Sequence, residues 1–272
     1  MALLATGHMS RYGSVVVKQR PTFQLANLDA VDWLTSLPSE SVALVITDPP
    51  YESLERHRAV GTTTRLTHSK ASSNDWFTIF PNSRFSALLG EFWRVLKPNS
   101  HLYLFSDPET MFVLKPIAES TGFKFWKPLV WDKKTIGMGY HYRARYECIL
   151  FFEKGKRKLN DLGVPDIIEA PRIHKGYPAE KPAAVSEILV RQSSLPGDLV
   201  IDPFAGSASV GVAAVRLGRR FAGNDLSPAA LHLAGQRLGD AGAVRVTDSF
   251  HLGAPAGRSS TSARQKLADP IE

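Results

Sequence analysis

Val42-Ala43-Leu44-Val45-Ile46-Thr47-Asp48-Pro49-Pro50-Tyr51 is the stretch on which the fold turns. Five consecutive apolar residues are followed by a polar, proline-stiffened turn. An unbroken apolar run of this length suits a strand buried on both faces, as in a parallel sheet, better than the alternating pattern of a half-exposed strand. Two further runs read the same way, at 101–105 and at 198–201. Between the runs lie segments with apolar residues at three-and-four spacing, near 29–36, 84–96, 109–120, 180–194, 207–217 and 227–238. Strands alternating with amphipathic helices predict an α/β fold with a doubly wound, mostly parallel sheet. Residues 123–131 and 145–153 are strand-like, and the polar, Gly-rich link between them predicts an antiparallel hairpin at one edge.

Two of the apolar runs end in chemistry. In open α/β sheets, ligands bind beyond the carboxyl ends of the strands. Asp48-Pro49-Pro50-Tyr51 supplies a carboxylate, a backbone carbonyl at Pro49 held by stiff proline geometry, and an aromatic ring. A nucleobase exocyclic amine is a poor nucleophile because its lone pair is delocalised into the ring. Two acceptors aimed at its hydrogens favour a pyramidal nitrogen, and the ring of Tyr51 offers an extruded base a stacking surface. The second turn, Asp202-Pro203-Phe204-Ala205-Gly206-Ser207-Ala208, passes from strand to helix. Its glycine admits close backbone approach, Ser207 is expected to cap the helix, and the helix N-terminus suits a carboxylate. Phe221-Ala222-Gly223-Asn224-Asp225 reads as another strand ending in an acid, at an offset suited to a ribose diol. Together these turns point to an adenosine-type cofactor, without the G-x-G-x-x-G dinucleotide pattern.

Composition narrows the classes. The chain has 272 residues, 43% of them hydrophobic, and needs no disulfide or metal staple. Its single cysteine, Cys148, lies in an apolar run and reads as a core thiol; a cytoplasmic, reducing compartment fits. No Cys/His spacing suggests a metal site, and no apolar run approaches the ~20 residues a membrane span requires. The formal net charge of +7 favours a polyanionic partner. Its densest part is 133–158, with eight basic residues against Glu147 and Glu153, interleaved with Tyr140, Tyr142 and Tyr146. This stretch, including Lys154, Lys156, Arg157 and Lys158, is expected to grip phosphates. Arg56, Arg58, Arg65 and Lys70 in the polar segment 52–75 are the rival grip; that segment reads as a mobile loop.

The chain resembles the bacterial and phage DNA amino-methyltransferases of the permuted β class, in which the catalytic half precedes the cofactor half. Asp48-Pro49-Pro50-Tyr51 looks like their catalytic motif and Asp202-Pro203-Phe204-Ala205-Gly206-Ser207 like their methionine-binding motif. Gly176-Tyr177-Pro178-Ala179-Glu180-Lys181-Pro182 resembles the H-P-T-x-K-P segment that lines the cofactor pocket, and Leu28-Asp29-Ala30 the segment whose acid approaches the cofactor adenine. Arg94-Val95-Leu96-Lys97-Pro98 and Tyr146-Glu147-Cys148-Ile149-Leu150 match further segments. The resemblance covers roughly 22–240 and implies about seven strands, with S-adenosyl-L-methionine as cofactor and S-adenosyl-L-homocysteine as its product. The cofactor residues it implies are Asp29, Ala30, Asp48, Lys181, Pro182, Asp202, Pro203, Phe204, Ala205, Gly206, Ser207, Asp225 and Leu226. It also implies double-stranded DNA as substrate, with adenine N6 favoured by Asp-Pro-Pro-Tyr; cytosine N4 and a catalytically impaired DNA-binding homologue stay open. A homodimer and a cognate restriction enzyme are compatible partners; no metal or membrane is expected. The implied organisation is an extension at 1–21, a methyltransferase domain at 22–249 and a disordered tail at 250–272. Within the domain the catalytic half is 22–153, a target-recognition insertion follows at about 154–178, and the cofactor half is 179–249. The chain departs from the family at Leu28, Tyr177, Ala179-Glu180 and, above all, Ala208, where the family usually has glycine.

Overall fold

The segment 42–47 forms the central strand it predicts: every residue of β2 (Val42–Thr47) is buried. A computed structural model describes residues 20–53, 78–137, 141–173 and 180–247. In chain order the other strands are β1 (Thr22–Ala26), β3 (Leu96–Ser106), β4 (Lys124–Asp132), β5 (Tyr146–Lys154), β6 (Ile167–Glu169), β7 (Leu199–Asp202), β8 (Arg220–Asn224) and β9 (Val244–Arg245). The described α-helices are α1 (Ala30–Ser36), α2 (Phe85–Val95), α3 (Pro108–Thr121), α4 (Ala183–Ser193), α5 (Ser209–Arg216) and α6 (Pro228–Asp240).

All nine strands share one sheet, in the order β6-β4-β5-β3-β2-β7-β8-β1-β9. Pairing is parallel except where β5 lies antiparallel between β3 and β4. Residues alternate between two apolar layers. Val45, Leu102 and Leu104 face one layer, with Trp33 and Leu34 of α1, Leu88 and Phe92 of α2 and Leu114 of α3. Leu44, Ile46 and Tyr103 face the other, with Leu189 of α4, Val212 and Ala213 of α5 and Ala234 of α6. Helices therefore cover both faces, which is the doubly wound α/β arrangement expected from the alternating pattern.

The strand order interleaves the two halves of the chain. β7 and β8 enter between β2 and β1, so β2 pairs with β7 (Leu44 with Val200, Val45 with Ile201) and β1 pairs with β8. The chain reverses its direction of winding between β2 and β7, which makes their carboxyl ends the switch point where α/β sheets bind ligands.

Two expectations change. The 123–131/145–153 hairpin forms, but it is not the edge: β6 pairs in parallel along β4, and β9 caps the opposite side. Three short strands, β1, β6 and β9, lacked apolar runs long enough to read, and the sheet has nine strands where the resemblance implies about seven. The second change concerns the basic stretch. β5 runs antiparallel to β3, pairing Cys148 with Ser106 and Lys154 with Ser100. Only its first residues lie at the carboxyl end of the sheet, so Lys154 and the residues after it sit one strand length away, about 26 Å at ~3.3 Å per residue. Lys154 is moreover buried, donating to the carbonyls of Trp93 and Leu96 at 2.6 Å each. Of the described residues in the stretch, 133–137 and 141–145 lie at the carboxyl end.

Candidate active site

The two proline turns meet because their strands are neighbours. At the last turn of β2, the hydroxyl of Thr47 donates to Asp202 Oδ1 at the end of β7 (2.7 Å), tying the turns together where both side chains are buried. Asp202 Oδ1 also accepts the Phe204 N–H (3.0 Å). Burial pushes the Asp202 carboxyl up to about 7, against the opposing pull of those two donors.

Asp48 lies just beyond β2 and is partly exposed. Its Oδ1 accepts the Tyr51 hydroxyl (2.7 Å), and its Oδ2 meets Lys181 Nζ (2.7 Å). Lys181 Nζ also meets Glu147 Oε2 (2.8 Å), and Glu147 Oε1 meets Lys133 Nζ (2.7 Å). Four alternating charges thus link the turn after β2 to the first residues of β5 and the loop after β4. The Lys181 ammonium lies over the rings of Phe105 (5.3 Å) and Trp131 (5.9 Å). Burial works against the Lys181 ammonium, but Asp48 and Glu147 outweigh it and hold the lysine above its ordinary range. Glu147 answers in kind: burial would raise it, yet Lys181 and Lys133 carry it down to about 2.

Tyr51 does not present a free ring. It is buried, its single hydroxyl proton is shared between the Phe105 carbonyl and Asp48, and its residue bridges to Phe80. Burial, then the neighbouring Asp48, drives the phenol well above its usual value, so it is a hydrogen-bond donor here. The Pro50 carbonyl accepts the Phe80 N–H (2.8 Å), which leaves Pro49 as the turn carbonyl available for a second acceptor role.

The second turn builds a different cradle. Gly206 takes a left-handed φ of 49°, and its N–H donates to Asp225 Oδ2 (2.8 Å); Asp225 Oδ1 accepts Ser227 N–H (2.8 Å). Burial raises the Asp225 carboxyl above its ordinary value. Beside it, Asn224 is buried and locks β1 to β8: Oδ1 accepts Leu28 N–H (3.0 Å) and Nδ2 donates to Leu28 O (3.0 Å). Ser207 does not cap α5. Its hydroxyl accepts from Arg237 (2.6 Å), the N-cap residue is Ala208, and no side chain caps that helix. Ala208 stands in the left-handed region (φ 57°), which explains why glycine suits the position. Its methyl is fully buried in the apolar layer, so it does not narrow the mouth of the cradle.

Of the remaining sequence candidates, Asp29 caps α1 through Val31 N–H (2.9 Å) and forms a two-pronged pair with Arg84 (2.7 Å each). Ala30 is buried at the start of that helix, Pro182 is the N-cap of α4, and Leu226 is exposed beside Asp225. Lys181 meets the catalytic turn rather than the Gly206 cradle. Residues 174–179, most of 52–75, Tyr140, most of 1–21 and the tail 250–272 lie outside the described residues. Sequence reasoning missed Glu147, Arg84 and Asn224 as site-forming residues; an acid opening the otherwise apolar 147–152 was the signal for Glu147. The donor set at the β7–β8 cradle suits an adenosyl amino acid: an uncapped helix N-terminus and open glycine backbone for a carboxylate, an acid for a diol, and the half-buried Phe204 and exposed Leu226 for a ring. Among the described residues no helix is long and apolar enough to cross a membrane, and no cluster of candidate metal ligands occurs.

Comparison with known proteins agrees with this geometry. The type II methyltransferase M.HpaI of Haemophilus parainfluenzae is 26% identical over 238 residues, spanning 77% of this chain and 72% of that one. The DNA adenine methyltransferase YhdJ of Escherichia coli K12 is 25% identical over 249 residues, spanning 77% and 80%. TTHA0409 of Thermus thermophilus, solved in complex with S-adenosyl-L-methionine, superposes with a TM-score of 0.62 at 25% identity, covering 85% of this chain and all of that one. Residues 42–236, from the start of β2 into α6, match the N6/N4 DNA methylase family, and the chain belongs to that family.

Proposed function

We propose that this DNA methyltransferase moves a methyl group from S-adenosyl-L-methionine to the exocyclic N6 amine of an adenine flipped out of double-stranded DNA. The observation that carries the reading is the placement of Asp48 and Pro49 at the switch point, one strand from the Gly206–Asp225 cradle. When bound, the cofactor supplies a methyl already activated on a sulfonium, so the residues need only position and polarise. Asp225 holds the ribose diol, and the backbone at Gly206 and the N-terminus of α5 hold the amino-acid end. Phe204 and Leu226 flank the adenine ring, while Asp29 and Ala30 belong to its outer wall. Asp48 and the Pro49 carbonyl accept hydrogen bonds from the two amine N–H groups, localising the nitrogen lone pair toward the methyl; the N–C bond forms as the sulfur–methyl bond breaks, and the methylated nitrogen then gives up one proton to solvent. Asp48 has lone pairs to spare beyond Tyr51 and Lys181, since a carboxylate offers about four acceptor sites. A base inside a duplex cannot reach this turn, so it must be extruded. A cytoplasmic location suits an enzyme that needs both DNA and S-adenosylmethionine.

Adenine is favoured because the turn begins with Asp and because one relative is itself a DNA adenine methyltransferase. The test is expression in a methylation-free host followed by mass spectrometry of the nucleosides. N6-methyladenine is expected, and Asp48→Ala should abolish it while leaving S-adenosylhomocysteine affinity within a few-fold. N4-methylcytosine instead would move the substrate to cytosine, and full turnover by Asp48→Ala would sink the mechanism.

A further inference from the structure

The charges that hold Asp48 come from outside the two motifs, and they have an order. Lys181 Nζ sits between Asp48 (2.7 Å) and Glu147 (2.8 Å), and Lys133 closes the row on the other oxygen of Glu147 (2.7 Å). Lys181 has 14% side-chain exposure, Glu147 30% and Lys133 20%. Lysine is a long, mobile cation, and ordering one in a single place needs partners on more than one side. Here a carboxylate grips each side and two rings, Phe105 and Trp131, wall it in. Glu147 opens β5 at register with Trp131, so the rigid antiparallel ladder fixes where Lys181 can stand.

We propose that Lys181, anchored by Glu147, is a positioning residue that aims the Asp48 carboxylate at the target amine, rather than a ligand of the cofactor. The proposal rests on Asp48 being the acceptor named above. Among the described residues Asp48 faces two hydrogen-bond donors from side chains, Lys181 and the Tyr51 hydroxyl. Tyr51 is fixed by Phe105 O and so sets the position of Oδ1; Lys181 sets Oδ2. The two anchored oxygens, with Cγ as the third point, fix the plane of the carboxylate, and an in-line transfer depends on that plane. The other charged groups near this turn are Asp202 at the end of β7, Asp107 after β3, Glu147 and, on the far oxygen of Glu147, Lys133. Removing Lys181 would leave Asp48 among acids, with no cation on its own oxygens.

Three variants test this: Lys181→Met, Lys181→Arg and the double variant Glu147→Gln/Lys181→Met. The readouts are the single-turnover rate of tritiated methyl transfer to unmethylated genomic DNA at saturating cofactor, and S-adenosylhomocysteine affinity by calorimetry, which also reports that each variant is folded. Lys181→Met is expected to slow transfer at least ~10-fold, because the Oδ2 side of Asp48 loses its anchor. Its S-adenosylhomocysteine affinity should stay within about 3-fold. Lys181→Arg should recover part of the rate. The double variant should be no slower than Lys181→Met, since Glu147 acts on Asp48 only through Lys181. An unchanged rate in Lys181→Met would overturn the proposal. So would a large loss of S-adenosylhomocysteine affinity with normal transfer at saturating cofactor, which would make Lys181 a cofactor ligand. A double variant clearly slower than Lys181→Met would overturn the role of Glu147. If Asp48→Ala is inactive while Lys181→Met is normal, only this inference fails; if Asp48→Ala is active, the underlying mechanism fails.

Discussion

Asp225 receives two backbone N–H groups, from Gly206 and Ser227, which leaves part of a carboxylate's acceptor capacity unused. Asp225→Ala is expected to weaken S-adenosylmethionine and S-adenosylhomocysteine alike, by ~1.5–3 kcal/mol through the removal of charged hydrogen bonds. Calorimetry with both ligands checks it, and unchanged affinity for both would remove the ribose assignment. Asp202, one strand away, is held differently. Burial raises its carboxyl to about 7, whereas an unfolded aspartate titrates near ~3.9. The fold thus prefers the neutral form: that stabilisation is complete below about pH 4 and is lost as pH rises through about 7. Asp202→Asn keeps an oxygen for the Thr47 hydroxyl and Phe204 N–H and removes the titration. Its unfolding free energy relative to the parent should therefore climb between about pH 4 and 7, by at most roughly 4 kcal/mol. A relative stability flat across that range in urea titrations would contradict the buried-carboxyl reading. Asp48, Asp202 and Asp225 were legible in the sequence because each follows an apolar strand. Lys181 was legible as a site residue, but its partner was not. Its meeting with Asp48 depends on how two strands and a loop are brought together, which one-dimensional spacing does not encode.

Elements reveal the same limit from another side. All six described helices lie within a few residues of where apolar periodicity predicts them, because three-and-four spacing is a local property. Strand direction is not local. Counting charges over 133–158 merges two groups that β5 separates, since the strand carries the chain from the carboxyl end of the sheet to its far end. The catalytic end receives Lys134, Arg143 and Arg145, which are exposed or partly so; Lys134 pairs with Glu169 (2.6 Å) and Arg145 with Asp132 (2.7 Å). Exposed pairs of this kind are worth ~0–1 kcal/mol, little enough for a phosphate to displace. Replacing these three by Gln should therefore make the log–log salt dependence of DNA affinity shallower, by ~0.9 for each phosphate no longer neutralised. Replacing Lys156, Arg157 and Lys158 should leave the slope alone. The reverse result, measured by fluorescence anisotropy over a salt series, would return the phosphate grip to the far end. Lys154 belongs in neither set, because its buried ammonium holds two backbone carbonyls and its removal would act on folding.

At the scale of the whole molecule, the sheet makes the catalytic and cofactor halves one object. The division at 153 and 179 reads naturally along the chain, yet β7 and β8 lie between β2 and β1, so neither half owns a contiguous piece of sheet. The Thr47–Asp202 bond and the Asn224–Leu28 pair cross the same boundary at the ligand-binding end. Unfolding one half would expose both the edge of a central parallel strand and an apolar layer shared with the other, so a single cooperative transition is expected. The placement of tryptophan makes this measurable. All five, at 33, 76, 93, 126 and 131, precede β5, whereas Asp225 and the Gly206 turn lie after 200. Tryptophan fluorescence therefore follows the catalytic half, whereas the cradle proposed for S-adenosylhomocysteine belongs chiefly to the other. At 100 times its dissociation constant the ligand should stabilise the fold by about 2.7 kcal/mol. If the halves are one unit, the whole of that shift appears in the tryptophan-detected denaturation midpoint, coincident with the midpoint from far-ultraviolet circular dichroism. A tryptophan transition that stays in place while a second, dichroism-detected transition moves would show two independent units. The bonds across β2 and β7 would then align the turns without coupling their stability.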